Sequence, residues 1–427
     1  MHCRADVRLS EILTGWRASS QWTTLLVPAM EGQLLATARP YLQLFSLFTL
    51  MPPPSIYERN SDHRRRQLLI FVFGCYTCCV LLLGLYVSYV NTTMLNAEIL
   101  LLAVGDFTSN MGLLQIVLYT ILPAITHVCI LIHFGRLARI YVEITALELD
   151  IDAASQYFGG QRQRYYLQKH LAIVVGLWLI FLFLALPRTT MSQLGMKWRD
   201  NILTELIMLV MQLKSVEYTL FVLLVRELLL RLRHSLIQLK QELTVCEGRA
   251  LLQALCAALR RNKQLMSRIW RLVGELEVYF MLPMMLLFLY NCFSMLHIVN
   301  WVYIQSLNPN DCSNCRFWRV GHLTVLLINL LLPCWISQNC ISTYNSFKRI
   351  IHSIRCGFYP QLLKNALREY SLQFEHLKLR FTCGGFFDIN LSCFGSMVVT
   401  MASFTIILIQ FKMQGFLSTS KSKAGQQ

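Results

Sequence analysis

The stretch GGFFDINLSCFGSMVVTMASFTIILIQF, Gly384 to Phe411, decides the fold class and points to a use for it. Ser392, Ser396, Thr400, Ser403 and Gln410 follow one another at intervals of 4, 4, 3 and 7 residues. That spacing stacks them along one face of an α-helix. Around them stand Leu, Phe, Met, Val and Ile, the composition of a helix that crosses a bilayer. Lipid offers such a stripe no hydrogen bonds, whereas water or a neighbouring helix does. With no fixed charge before Asp388, small hydroxyls and one amide suit the wall of a narrow wet path. The same residues also serve as helix-packing faces, with Ser and Thr bonding the backbone one turn back.

The rest of the chain supports the membrane reading. Hydrophobic residues make up 55% of the 427 positions and charged residues 15%. Seven runs are apolar enough to span: Leu68–Val90, Leu113–His133, Leu171–Pro187, Ile202–Val225, Val278–Asn300, Val320–Ile341 and Gly385–Phe411. A hydrocarbon core of about 30 Å needs about 20 helical residues, and an isolated span must be helical to satisfy its own backbone. The third run is the shortest, and Pro123 interrupts the second. The first thirty residues lack the compact apolar core of a cleavable secretory signal, so the first span is expected to act as the insertion signal.

Cations set the expected orientation. Residues 1–67, 134–170, 226–277 and 342–383 carry 8, 5, 10 and 7 Lys and Arg. The alternate segments, 91–112, 188–201, 301–319 and 412–427, carry 0, 3, 2 and 3. The positive-inside rule places the N-terminus in the cytosol, and seven spans then leave residues 412–427 outside. The net charge of +16 is thereby explained beside anionic lipid headgroups, with no nucleic acid as partner. A G-protein-coupled receptor has the opposite orientation. Its usual signatures are also missing: no Asp-Arg-Tyr closes the third span, and the single Asn-Pro pair, Asn308-Pro309, lies in an outer loop.

The expected organisation is thus an all-α membrane protein. Residues 1–67 form a cytoplasmic N-terminus, in which Tyr41–Met51, ended by Pro52-Pro53-Pro54, is a short interfacial helix before Arg64-Arg65-Arg66. Residues 68–225 hold spans one to four and 278–341 spans five and six. Between them, residues 226–277 repeat Leu228, Leu232, Leu236, Leu239 and Leu243, then Leu255, Leu259, Ile269, Leu272 and Leu276, at helical spacing. They read as amphipathic extensions of the fourth and fifth spans into the cytosol. Residues 342–383 contain a third such helix, Gln361 to Arg380, and 384–411 form the last span. The apolar faces need a partner in the chain or in a neighbouring subunit, or they lie on the inner leaflet.

Several side chains are candidates for chemistry. Lys214 and Glu217 stand three apart in the fourth span, where charges are expensive and turn inward. They either neutralise each other structurally or floor a ligand pocket. His127, Tyr290, Asn291, His297, Trp335, Gln338 and Asn339 are polar or aromatic residues within spans. Pockets for small organic molecules use that mixture, and so does ordinary packing. Cys312 and Cys315, in one outer loop, are placed for a local disulfide; two ligands do not make a metal site. Asn91-Thr92-Thr93 is a glycosylation sequon on the expected outer side, whereas Asn390-Leu391-Ser392 falls in the last span. No metalloprotease helix, phosphate loop or nucleophile elbow is present, so no enzyme and no cofactor is expected.

Leu372 to Phe411 resembles the C-terminal signature of the insect gustatory receptors. That family ends its last span with Thr-Tyr, five apolar residues, then Gln-Phe. Here the segment is Ser403-Phe404-Thr405-Ile406-Ile407-Leu408-Ile409-Gln410-Phe411. Ser403 and Phe404 replace Thr and Tyr, and Thr405 breaks the apolar run. Gly385-Phe386-Phe387-Asp388-Ile389 is similar to the family's entry to this span, as is Ala38-Arg39-Pro40…Leu47-Phe48…Pro52 to its approach to the first. Residues 1–29 have no counterpart. The resemblance implies a ligand-gated, non-selective cation channel in the plasma membrane of a sensory neuron. It implies a tetramer, of one chain or with related subunits, opened by small-molecule tastants, bitter compounds among them. The last spans would line the pore, with Gln410 as a ring near its outer end and Phe411 as an apolar gate. A seven-span receptor signalling through a cytoplasmic partner is the alternative, and a transporter is disfavoured by the lack of an internal repeat.

Overall fold

A computed structural model describes residues 32–57, 63–102, 106–156, 171–178, 198–245, 249–306, 313–354 and 361–424, with positions 169 and 180. Its long helices are α1 (Gln33–Leu47), α2 (His63–Leu102), α3 (Asp106–Ile132), α4 (Phe134–Gln156), α5 (Trp198–Val245), α6 (Arg249–Ser306), α7 (Ser313–His352), α8 (Gln361–His376) and α9 (Leu391–Ala424). Residues 171–178 are also helical. Among the described residues, six helices are long and apolar enough to cross a membrane: Arg64–Val90, Asn110–Ile132, Leu206–Thr244, Leu251–Asn300, Val320–His352 and Leu391–Gln410. The third expected span, Leu171–Pro187, lies partly outside the described residues.

The bundle is built around α5. Every residue from Met211 to Val225 is buried, and α5 packs on α6, α7 and α4, while α3 packs on α6 and α2. At 48 and 58 residues, α5 and α6 are roughly 72 and 87 Å long at ~1.5 Å per residue. Both therefore run far past a hydrocarbon core of about 30 Å, and they do so together at the end rich in Lys and Arg, called here the basic end. The leucine faces of residues 226–277 find their partners inside the chain: Leu228, Leu232, Leu236, Leu259, Ile269 and Leu272 are all buried.

Ion pairs fasten the basic end. Arg268 of α6 reaches Glu143 at 2.8 Å and Asp150 at 2.5 Å on α4; the Glu143 hydrogen bond pushes its guanidinium above the ordinary range. Arg231 of α5 meets Glu148 at 3.0 Å and Asp152 at 3.4 Å. The amphipathic α8 lies over α6 and α7, with Tyr370 donating to Asn262 Oδ1 at 2.6 Å.

Three local expectations change. The N-terminal helix covers Gln33–Leu47 rather than Tyr41–Met51, and it is docked rather than merely interfacial. Leu34, Leu35, Ala38, Leu42 and Phe45 are buried, and the helix packs on α4 and α5. Its start is set by Glu148, whose two carboxylate oxygens each lie 3.1 Å from the Leu34 N–H. The carboxylate acts as a cap supplied by another helix, at the positive end of the helix dipole. Second, α8 stops at His376, not Arg380. Beyond it Leu379, Phe381 and Cys383 are buried and Arg380 is exposed, a period of two that marks extended chain. Third, α9 begins at Leu391, not Gly385. Gly384 and Gly385 adopt φ of +60° and +79°, left-handed values that no helix accepts and that glycine tolerates. They turn the chain into a small hairpin bridged between Thr382 and Asp388.

Glu148 allows a quantitative expectation. Arg231 keeps Asp152 and Glu227 when Glu148 is lost, so Glu148→Ala forfeits mainly a buried cap and costs about 1–3 kcal/mol. A fully orphaned buried charge would cost about 3–5 kcal/mol. Thermal unfolding of detergent-solubilised protein should show a lowered midpoint for Glu148→Ala and recovery of at least half the loss in Glu148→Gln. Equal midpoints for Glu148→Ala and wild type would show that α1 is held by its apolar face alone.

Candidate functional site

The polar stripe of α9 is turned away from the protein's own core. Phe394, Met397 and Met401 pack against the bundle, and they lie across the helix from Ser392, Ser396, Thr400, Ser403 and Gln410, all of which are exposed. Val399 and Ile406, between and beside the stripe, are 66% and 57% exposed. Two hydroxyls are satisfied within the helix: Ser396 Oγ donates to Ser392 O at 3.0 Å and Ser403 Oγ to Val399 O at 2.9 Å. Their donors are thereby occupied while oxygen lone pairs remain on the outer face. The helix is well founded, because Asn390 Oδ1 accepts the Cys393 N–H at 2.8 Å as an N-cap. Phe411 belongs to α9, but its side chain lies outside the described residues.

Lys214 and Glu217 form a buried pair, 2.8 Å apart and 1% and 0% exposed. The ammonium also donates to Leu50 O at 3.3 Å and sits 4.9 Å from the centroid of the Tyr279 ring. Tyr279 donates to Glu217 Oε1 at 3.4 Å. The pair therefore joins α5, α6 and the chain that follows α1, where Thr49 takes a positive φ of 57°. His127 of α3 is buried beside this knot, and its Nδ1 has no hydrogen-bond partner among the described residues. Each charge has several partners, and removing one would leave the other buried and uncompensated.

A second polar group lies farther from the basic end. Gln212 Nε2 donates to Asn291 Oδ1 at 2.7 Å, Asn329 Nδ2 donates to Gln212 Oε1 at 2.6 Å, and Ser215 Oγ donates to Asn329 O at 3.0 Å. It ties α5, α6 and α7 at one level. Above Asn329 is a small cavity of ≈ 20 Å³ lined by Val174, Leu177, Trp178, Val216, Ile328 and Leu332. The Trp178 Nε1 donor has no partner among the described residues.

The remaining candidates are dispersed. Tyr290 donates to Met208 Sδ at 3.1 Å, the Asn339 carbonyl accepts from Thr343, and Trp335 is 40% exposed. His297 and Gln338 are half-buried, and none of these five lines the cavity. The Asn91 and Cys315 side chains and all of Cys312 lie outside the described residues, so the sequon and the disulfide stay sequence expectations. Sequence reasoning missed Gln212, Asn329 and Trp178. Gln212 carried a signal, since it lies two residues from Lys214 in the same span.

Comparison with known proteins fits this architecture. Residues 38–415 match the family described as 7tm Chemosensory receptor. The candidate gustatory receptor 98b of Drosophila melanogaster is 47% identical over 400 residues, covering 92% of this chain and 99% of its own. The candidate gustatory receptor 98c of the same fly is 44% identical over 393 residues, covering 91% and 96%. The fold is similar to that of the insect olfactory receptor OR5 from Machilis hrabei, with a TM-score of 0.60 at 13% identity, covering 87% of this chain and 98% of that one. The same receptor in complex with eugenol gives a TM-score of 0.58. With its multi-pass helical bundle and its terminal signature, the chain belongs to the insect gustatory receptors within the 7tm chemosensory receptor family.

Proposed function

We propose that this receptor is a tastant-gated, non-selective cation channel in which four copies of α9 surround a central conduit. The observation that carries the reading is the stripe. On a helix of membrane length, five polar side chains face away from the subunit's own core, and the hydrogen bonds of Ser396 and Ser403 stay within α9. Arranged around an axis, they give water and cations a continuous wall of hydroxyl and amide oxygens. Gln410 forms a ring toward one end, and Phe411, the next residue, supplies an apolar constriction that closes by dewetting. The cation distribution puts residues 1–67 and the basic end in the cytosol and residues 412–427 outside.

The cavity above Asn329 is the proposed tastant site. At ≈ 20 Å³ it holds about one water, so a tastant enters by parting residues 171–178 from α5 and α7. Its wall is almost wholly apolar, with the Asn329 amide and the Trp178 indole N–H as polar anchors. A sugar would leave most of its hydroxyls unbonded there, at about 1–3 kcal/mol each. Apolar bitter compounds carrying one or two acceptors fit better. Calcium imaging of cells expressing the receptor should therefore show responses to such compounds at concentrations where sucrose and fructose give none. A sugar response abolished by Leu332→Trp, which fills the cavity, would contradict the assignment.

Excised patches test the channel itself, because they lack soluble messengers. Current there without nucleotide or G protein is expected. Gln410→Glu places four carboxylates at one level and should raise divalent preference or block at least severalfold. Phe411→Ala should leak without ligand. Unchanged permeation and a silent baseline in both well-expressed variants would contradict the pore placement.

A further inference from the structure

The hairpin that leads into α9 rides on a single line of α6. Thr382 donates its backbone N–H to Glu277 Oε1 at 2.7 Å. Four residues on, Met281 occupies the space beside Gly384: a Cβ there would fall 2.5 Å from the Met281 sulfur. Phe387 packs on Phe288 with ring centroids 5.6 Å apart. Between these contacts Met284 faces Phe381, Cys383 and Ile389 across a small gap of ≈ 10 Å³. Glu277, Met281, Met284 and Phe288 are spaced 4, 3 and 4 apart, so they form one straight stripe along the helix.

The hairpin has little slack. Cys383 N–H donates to Phe387 O at 2.9 Å and Ile389 N–H to Phe381 O at 2.7 Å. The next residue, Asn390, is already the cap of α9. Thus a rotation or shift of α6 displaces the first turn of α9 directly. The polar fastening of the hairpin to the lower part of the stripe is the bond from Thr382 to Glu277, a side chain of α6. α6 also carries Asn291 of the polar group next to the tastant cavity, fourteen residues beyond Glu277 on the same helix and past its internal Pro283.

We propose that Glu277 is a positioning residue for gating: its carboxylate latches the pore-helix hairpin onto α6, so that movement of α6 reaches the base of α9. The proposal deepens the channel reading and rests on it. The latch itself does not, which lets the two be judged apart.

The experiment compares full-length receptor with Glu277→Gln and Glu277→Met. Glutamine keeps an acceptor oxygen, and methionine keeps the length without one. In detergent micelles, amide exchange of the 381–390 segment should accelerate at least tenfold in Glu277→Met and at most threefold in Glu277→Gln. The same substitutions in the Phe411→Ala background, recorded in excised patches with no ligand added, should change open probability at least fivefold for Met and less than twofold for Gln. Exchange unaltered in Glu277→Met overturns the latch. Accelerated exchange with unaltered open probability overturns its role in gating and leaves a structural tether. Absence of current in every variant, including Phe411→Ala alone, refutes the channel reading and with it the gating role, while the exchange data still decide the latch.

Discussion

A polar side chain inside a bilayer must find a partner, and the five along α9 find few in their own subunit. Each unsatisfied polar group in hydrocarbon costs several kcal/mol. Back-bonding relieves the donors of Ser396 and Ser403, but it does nothing for the Gln410 amide or for the outward lone pairs. Meanwhile Phe394, Met397 and Met401 use the opposite side of the helix to hold it on the bundle. A helix that packs by its greasy side presents its polar side to whatever lies outside the subunit, water or another helix, and we propose water. The proposed conduit and gate follow from that orientation, whereas the latch at Glu277 stands on the contacts between the hairpin and α6.

The remainder of the bundle treats polarity in the opposite way. Lys214, Glu217, Gln212, Asn291 and Asn329 are all buried and bonded across helices. Two layers result: a charged knot that binds α5 and α6 to the chain after α1, and an amide group that binds α5, α6 and α7. α6 passes through both and then meets the hairpin of α9. A ligand that wedges between residues 171–178, α5 and α7 would press on the amide group first. The 58-residue helix, with Pro283 inside it, is the physical route we propose from there to the base of α9.

Much of the fold was legible because membrane helices declare themselves by length and composition. The stripe of α9 and the Lys214–Glu217 pair were readable too, since helical spacing alone brings those residues onto one face. The amide group was not. Gln212, Asn291 and Asn329 lie on three helices, 79 and 117 positions apart, and no local period links them. The start of α9 was misplaced because Phe386, Phe387 and Ile389 continue the apolar run. The two preceding glycines, with their left-handed backbone, were the true signal of a turn. The docking of α1 also escaped notice: its cap is Glu148, 114 residues away.

The most direct measurement is water accessibility along α9. Single cysteines at Ser396, Thr400 and Ser403, and at Phe394, Met397 and Met401, would be tested with a membrane-impermeant thiol reagent on the assembled receptor in cells lacking other reactive surface thiols on it. Modification of the first set, with the second protected, is the result this account predicts. Protection of the polar set while the apolar set reacts would contradict it, and α9 would then be a packing helix in a receptor that signals by other means.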